Sequence, residues 1–227
     1  SYVFAANRET HEFLQKRMRK KERCVLLTEN GIQANKLNKV VKKNKNSRVA
    51  ILWAGRMVKR KGLSFLMDVL KEVKTNTPFI VKFAGDGPEM DALKAKAAQL
   101  GIENKIEFAG KLPFDEMRQL YSESDIFVFP SFRETTGTVL FEAMSAAIPI
   151  VTFNQNGADL LIDETCGIKV SIEQSLSNII NEFALSLKKL IEDPVLRSEM
   201  GSAALNKMKG YTWESKCIMF YNTYLNG

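Results

Sequence analysis

DIFVFPSFRETTGTVLFEAMSAAIPIVTF, Asp125 to Phe153, decides the fold. It opens on an apolar run, DIFVFPS (Asp125–Ser131), and closes on another, IPIVTF (Ile148–Phe153), with a polar turn and the start of a helix between them. Runs that are apolar throughout read as strands covered on both faces, the habit of parallel sheets. Glu134 and Glu142 stand eight positions apart around Thr135, Thr136, Gly137 and Thr138. Gly137 and Thr138 are expected to begin the helix, where N–H groups lack intrahelical partners. Open parallel sheets bind ligands at this edge, and a helix N-terminus attracts phosphate. Glu142, about one turn into the helix, can accept hydrogen bonds from a vicinal diol such as a ribose. Glu134 is expected to face the other end of the same ligand. The competing reading is an acidic cap and a surface glutamate; apolar neighbours Val139, Leu140, Ala143 and Met144 weaken it. The layout suits a diphosphate flanked by polyhydroxyl groups, as in a nucleotide sugar.

Outward from this stretch the same alternation recurs. VAILWAG (Val49–Gly55), PFIVKFAG (Pro78–Gly85) and KIEFAG (Lys105–Gly110) read as further strands, five in all. Helical patterns lie between them: LSFLMDVLKEVK (Leu63–Lys74), GPEMDALKAKAAQLG ending at Gly101, and FDEMRQLYSES (Phe114–Ser124). In the second, Met90, Leu93, Ala97 and Leu100 share one face, with lysines opposite. Strands alternating with helices indicate an α/β fold, a doubly wound parallel sheet of Rossmann-like type. The ends differ from this middle. Residues 1–27 read as a strand (YVFAAN), a helix (ETHEFLQKRMRK) and a short strand (CVLLT), followed by a basic linker. Beyond Ser171 come helical patterns broken at Asp193-Pro194 and Gly210, then an amphipathic, aromatic-rich TWESKCIMFYNTYLN.

AGRMVKRKG (Ala54–Gly62) ends one strand and opens a helix. Gly55 permits a tight turn, and Gly62 is expected to let the backbone approach a ligand. Arg56 offers a planar fork of donors and Lys61 a compact charge, a pair that suits a departing diphosphate. A solvated basic loop is the other reading, and Lys59 and Arg60 are taken as that. FAGDGPEMDAL (Phe83–Leu93) lacks the third glycine of a dinucleotide fingerprint, so it reads as a turn with Pro88 opening a helix. NQNGADLLID (Asn154–Asp163) is another polar loop on the same edge. His11, the one histidine, reads as a surface residue. No Ser-His-Asp set or metal-ligand spacing is present in the sequence, and no metal or other cofactor is expected.

The chain has 227 residues, 45% apolar, enough for one sizeable core. No apolar run approaches the ~18 residues of a membrane span. The opening SYVFAANRET lacks a secretory pattern. Cys24, Cys166 and Cys217 are odd in number and far apart, which points to reduced thiols and a cytoplasmic setting. The net charge of +7 is concentrated in KRMRKKER (Lys16–Arg23) and in the Lys36–Arg48 stretch. A solvated face, an anionic membrane surface and nucleic acid are compatible with these runs. No aromatic residue interleaves them, so a base-stacking platform is poorly supported.

Taken in order, five pieces resemble the donor-binding domain of retaining GT-B-fold glycosyltransferases of the "glycosyl transferases, group 1" type (family 4). They are VLLTENGIQ, GRMVKRKG, GDGPE (Gly85–Glu89), IEFAG and PSFRETTGTVLFEAM. The resemblance runs from about Cys24 to the C-terminus. It implies that Arg56 and Lys61 bind the donor diphosphate, Glu134 contacts the transferred sugar and Glu142 binds the ribose. Gly137 and Thr138 would complete the phosphate site, the base would lie near Lys111 and Leu112, and Gly55 and Thr136 are counted with the donor-binding residues. Arg56, Lys61 and Glu134 are the residues it assigns to catalysis. Two departures stand out: E-T-T-G replaces the family's frequent E-G-F-G, placing Thr135 where glycine is usual, and Asp159 takes an acidic position usually filled by glutamate.

The resemblance also implies a division of the chain. Residues 1–34 are expected to be the closing strand and helix of an acceptor domain with the start of a linker, 35–209 the donor domain, and 210–227 a helix crossing back to the acceptor domain. The expected activity is transfer of a hexose-type sugar from a UDP- or GDP-linked donor to an acceptor hydroxyl, with retention of configuration. The partners implied are a nucleotide-sugar donor and a glycan or lipid-linked acceptor, with peripheral contact at anionic membrane and no nucleic acid. A chain with only the donor half is expected to bind donor and transfer little. A GT-B-fold epimerase or glycan phosphorylase, and a non-catalytic basic module, are the competing functions.

Overall fold

The computed structural model describes residues 2–6, 8–28, 30–34, 48–135 and 137–225. The basic stretch Lys36–Arg48 therefore lies outside the described residues, apart from Arg48. Strand β1 (Val3–Ala5), helix α1 (Arg8–Gln15) and strand β2 (Cys24–Leu26) come first, with β1 and β2 paired in parallel. The alternation then follows: β3 (Val49–Ala54), α2 (Leu63–Glu72), β4 (Phe79–Ala84), α3 (Met90–Leu100), β5 (Ile106–Gly110), α4 (Phe114–Ser122) and β6 (Ile126–Phe129). It continues with α5 (Thr138–Ser145), β7 (Ile150–Phe153), α6 (Asn156–Leu161), β8 (Gly167–Val170), α7 (Leu176–Glu192), α8 (Pro194–Met208) and α9 (Trp213–Phe220).

Among the described residues the main sheet is parallel, in the order β5-β4-β3-β6-β7-β8. The sequence reading found five of these strands and missed β8. Its GIKV is short, carries Lys169, and sits at the sheet edge, where a polar residue costs little. The order reverses between β3 and β6, so the chain leaves the sheet in opposite directions there. That switch point opens the crevice in which doubly wound folds hold ligands.

Alternation along each strand builds two cores. Ile51, Trp53, Val81, Phe83, Val128 and Phe153 pack with α2, α3 and α7 on one face. Leu52, Ala54, Phe127, Phe129 and Ile150 pack with α4, α5, α6 and α8 on the other. Both faces are covered, which is why these strands carry almost no polar residue. Helix ends follow local chemistry. Asp193 accepts from the Leu196 N–H at 2.8 Å and Pro194 takes the first position of α8. Gly101 closes α3 in the left-handed conformation. Pro88, expected to open α3, precedes it by two positions: the Glu89 N–H donates to the Met57 carbonyl at 3.2 Å, and the helix starts at Met90.

The two ends of the chain meet. The Lys216 ammonium is bonded to the carbonyls of Thr28 and Asn30, and Ile32 exchanges backbone hydrogen bonds with Tyr211 and Trp213, both 2.9 Å. Tyr2 and Phe4 of the first segment contact Phe220 and Tyr224 at ring separations of 4.9–5.3 Å. Arg8, at the start of α1, pairs with Asp159 of α6 at 2.6 Å, and Lys169 completes that cluster at 2.8 Å.

Candidate functional site

The C-terminal ends of β3, β4 and β5 are laced by backbone hydrogen bonds. The Gly55 N–H donates to Ala84 at 2.9 Å, Gly85 to Gly110 at 2.7 Å and Met57 to Asp86 at 2.7 Å. This lacing needs glycine at position 85, where φ is +128° and a Cβ would stand 1.8 Å from the Gly55 carbonyl. Gly62 is buried rather than ligand-facing. It adopts φ +69°, and a Cβ there would meet the Pro130 carbonyl at 2.0 Å. Its role is to press the β3–α2 loop against the end of β6, a correction to the close ligand approach expected of it.

Above this floor lies a pocket of about 310 Å³. The β3 end contributes Ala54, Gly55 and Arg56, and the β4 end Ala84, Gly85 and Asp86. Lys111 and Leu112 follow β5, Met117 comes from α4, and Val139 and Glu142 from α5. Of the residues expected to bind a donor, the structure thus gathers Gly55, Arg56, Lys111, Leu112 and Glu142 around one cavity. Arg56, Lys111 and Glu142 are exposed and available to a ligand, over an apolar base of Leu112, Met117 and Val139. Glu142 accepts a hydrogen bond from the Tyr121 hydroxyl at 2.8 Å.

Lys61, Glu134, Gly137 and Thr138 lie outside that lining, on the β3–α2 loop, the β6–α5 loop and the first turn of α5. Glu134 is ion-paired with Lys61, and Arg60 donates to the same carboxylate oxygen at 2.9 Å. Arg60 also donates to the Arg133 carbonyl at 3.0 Å, while its own carbonyl accepts from the Phe132 N–H at 2.9 Å. Arg60 is exposed, as the sequence suggests, but it also joins the β3–α2 loop to the β6–α5 loop. Burial alone would raise the Glu134 pKa, but the bonds and charges of Lys61 and Arg60 outweigh it and hold the group below the usual carboxylate range. Gly137, with φ +71°, stands at the N-terminus of α5 beside Glu134, and among the described residues no side chain caps that end. Thr138 is exposed at the first position of the helix. Thr136 lies outside the described residues.

Two residues of this region escaped the sequence reading. Arg60 was obscured by its place in a basic run. Tyr121 reads from the sequence as part of an amphipathic helix, although a tyrosine on a buried helical face signals a hydroxyl that needs a partner. Gln155, after β7, adds a brace, its amide donating to the Ser131 and Phe132 carbonyls at 3.4 and 3.3 Å. Among the described residues no group of three or more His, Cys, Asp or Glu side chains converges as a metal site. No helix of the described residues is long and apolar enough to cross a membrane.

Known proteins share this architecture. Anabaena HepE in complex with UDP superposes with a TM-score of 0.83 at 21% identity, covering 100% of this chain and 64% of that one. The pneumococcal O-GlcNAc transferase in complex with UDP and GlcNAc does so with a TM-score of 0.79 at 19% identity, over 99% and 45%. These likenesses show the fold, a Rossmann-like domain of GT-B type. In sequence, the chain is 31% identical over 166 residues to the sulfoquinovosyl transferase of Arabidopsis thaliana, covering 73% of this chain and 32% of that protein. It is 25% identical over 182 residues to the D-inositol 3-phosphate glycosyltransferase of Corynebacterium aurimucosum, covering 77% and 42%. The chain spans about a third to a half of the length of the curated relatives it matches. The profile described as "Glycosyl transferases group 1" matches residues 34–207, and with that the chain belongs to the group 1 glycosyl transferase family.

Proposed function

We propose that this chain is the donor-binding half of a retaining glycosyltransferase that moves a hexose-type sugar from a UDP- or GDP-linked donor to an acceptor hydroxyl. The observation that carries the reading is the pocket at the switch point, where Arg56 and Glu142 share one cavity, with the Lys61–Glu134 pair on the β3–α2 and β6–α5 loops. The base rests against Lys111 and Leu112, and the ribose diol binds the Glu142 carboxylate. Arg56, Lys61 and the first N–H groups of α5 take the diphosphate, and Glu134 meets the sugar hydroxyls. As the glycosidic bond breaks, negative charge grows on the departing diphosphate. Arg56 and Lys61 are the cations placed to stabilise it, and preorganised charge of this kind is the main source of rate in such reactions. Retention follows if the acceptor attacks on the donor's own face, its proton passing to the departing phosphate.

Residues 35–209 constitute the donor domain in this reading. Residues 1–34 and 210–227, already joined through Lys216, belong with an acceptor domain. Binding without substantial transfer is then the expected behaviour of these 227 residues alone. Two known structures of this fold hold UDP, which favours a nucleotide donor here. The test is a thermal-shift panel of UDP-, GDP- and ADP-sugars on wild type and Glu142→Ala. A rise in Tm with one nucleotide class, lost in the variant, is expected. If no nucleotide moves Tm and Glu142→Ala behaves as wild type, the donor site is refuted.

A further inference from the structure

Tyr121 lies in the last turn of α4, the helix that lends Met117 to the pocket base, and its hydroxyl reaches Glu142 on the pocket wall. The ring is 5% exposed, fixed in the core 6.0 Å from the ring of Phe127. Its hydroxyl meets the Oε2 of Glu142 at 2.8 Å. Glu142 itself is exposed, on a flexible stem that would otherwise sample several rotamers and lose that freedom when a ligand binds. We infer that Tyr121 is a positioning residue: its hydroxyl pins one oxygen of the Glu142 carboxylate, leaving the rest of the carboxylate oriented for a vicinal diol. The inference rests on the donor-site reading and adds to it the residue that preorganises the ribose contact.

The chemistry of the pair fits this role. Burial, then the negative charge of Glu142 and the bond to it, raise the Tyr121 pKa well above that of free tyrosine. The hydroxyl thus stays protonated through the working range and always donates. A cation in its place would pin the carboxylate as well but would neutralise it, weakening the acceptor offered to the diol.

The experiment measures UDP and GDP affinity on the full chain by calorimetry, each beside its 2′,3′-dideoxy analogue. The proteins are wild type, Tyr121→Phe, Glu142→Ala and the double variant. Tyr121→Phe keeps the ring and the core packing, so the fold is retained and Tm reports any residual change. Wild type prefers the nucleotide bearing the diol, and Tyr121→Phe weakens that nucleotide about three- to tenfold while hardly affecting the dideoxy analogue. In the Glu142→Ala background the tyrosine substitution adds nothing. Equal loss for both analogues overturns the inference, since it marks a packing effect, and so does wild-type discrimination in Tyr121→Phe. A wild type that binds UDP or GDP without regard to the diol removes Glu142 from the ribose and this role with it. Absence of any nucleotide binding refutes the donor site as a whole.

Discussion

Lys61→Met removes the charge that the proposed mechanism depends on most while keeping much of the side-chain stem. Lys61 is the better-shielded cation of the cluster, its side chain 12% exposed against 51% for Arg60. A lysine about 4 Å from a phosphate gains roughly 4 kcal/mol at the effective dielectric of a protein surface. Glu134, on the same ammonium, cancels part of this, and Arg56 and Arg60 remain, so about 2 kcal/mol is expected to be lost. That is roughly a 30-fold weaker Kd for UDP. Calorimetry at low salt should show this loss for UDP and almost none for uridine, which carries no phosphate. The same substitution has a pH signature. The Glu134 pKa is lowered in the folded state, so its pairing adds stability above the unfolded carboxylate pKa, and that stability is lost as pH falls through the folded value. The stability gap between wild type and Lys61→Met should therefore narrow in acid, below about pH 4. UDP affinity within threefold of wild type, or an equal loss for uridine, refutes the assignment of Lys61 to the diphosphate.

Gly201→Ala should destabilise the fold by about 1–3 kcal/mol in urea titrations, because a Cβ there would stand 2.1 Å from the Ala147 carbonyl and force α8 away from the α5–β7 turn. Lys207→Met should raise the pH midpoint of acid unfolding. Burial alone would raise the Asp163 pKa, but bonds from Lys207 and Thr165 depress it, and the stability this confers is present at neutral pH and lost as acid protonates the carboxyl. The basic run Lys16–Arg23, with Phe13 exposed beside it, should bring the chain down with phosphatidylserine vesicles at low salt and release it as salt rises. Replacing Lys16, Arg17, Lys20 and Lys21 with glutamine should abolish that sedimentation; unchanged sedimentation would exclude this run as the contact.

The sheet was legible because its interior strands are covered on both faces: VAILWA admits no polar residue, and all six of its side chains are buried. Where burial relaxes, the signal fades, and GIKV at the edge went unread although it completes the sheet. The site divides along similar lines. Gly55 and Arg56, placed at a strand end by their own turn, and Glu142, placed by its offset from the start of α5, follow from motif order. Arg60 and Tyr121 take their meaning from partners 74 and 21 positions away, and no local pattern encodes that pairing. Gly62 shows the reverse error. Its conformational freedom was legible, but whether the space it leaves is filled by ligand or by the Pro130 carbonyl depends on β6.

The two glutamates that first mark this site differ in the kind of partner each has. Glu134 is balanced by two cations, and a diphosphate entering beside it must compete for Lys61. When Lys61 turns toward phosphate, Arg60 still bridges Glu134 to the Arg133 carbonyl, so the carboxylate keeps its place while giving up part of its charge balance. On the proposed donor reading, it would then be a stronger acceptor for sugar hydroxyls at the moment a donor is present. Glu142 meets a neutral hydroxyl donor instead. On that same reading, ribose recognition would then be constant, whereas sugar recognition would be coupled to the arrival of the diphosphate. An apparent affinity for free hexose that rises when UDP is bound is the measurable consequence of that coupling, and sugar binding indifferent to UDP would contradict it.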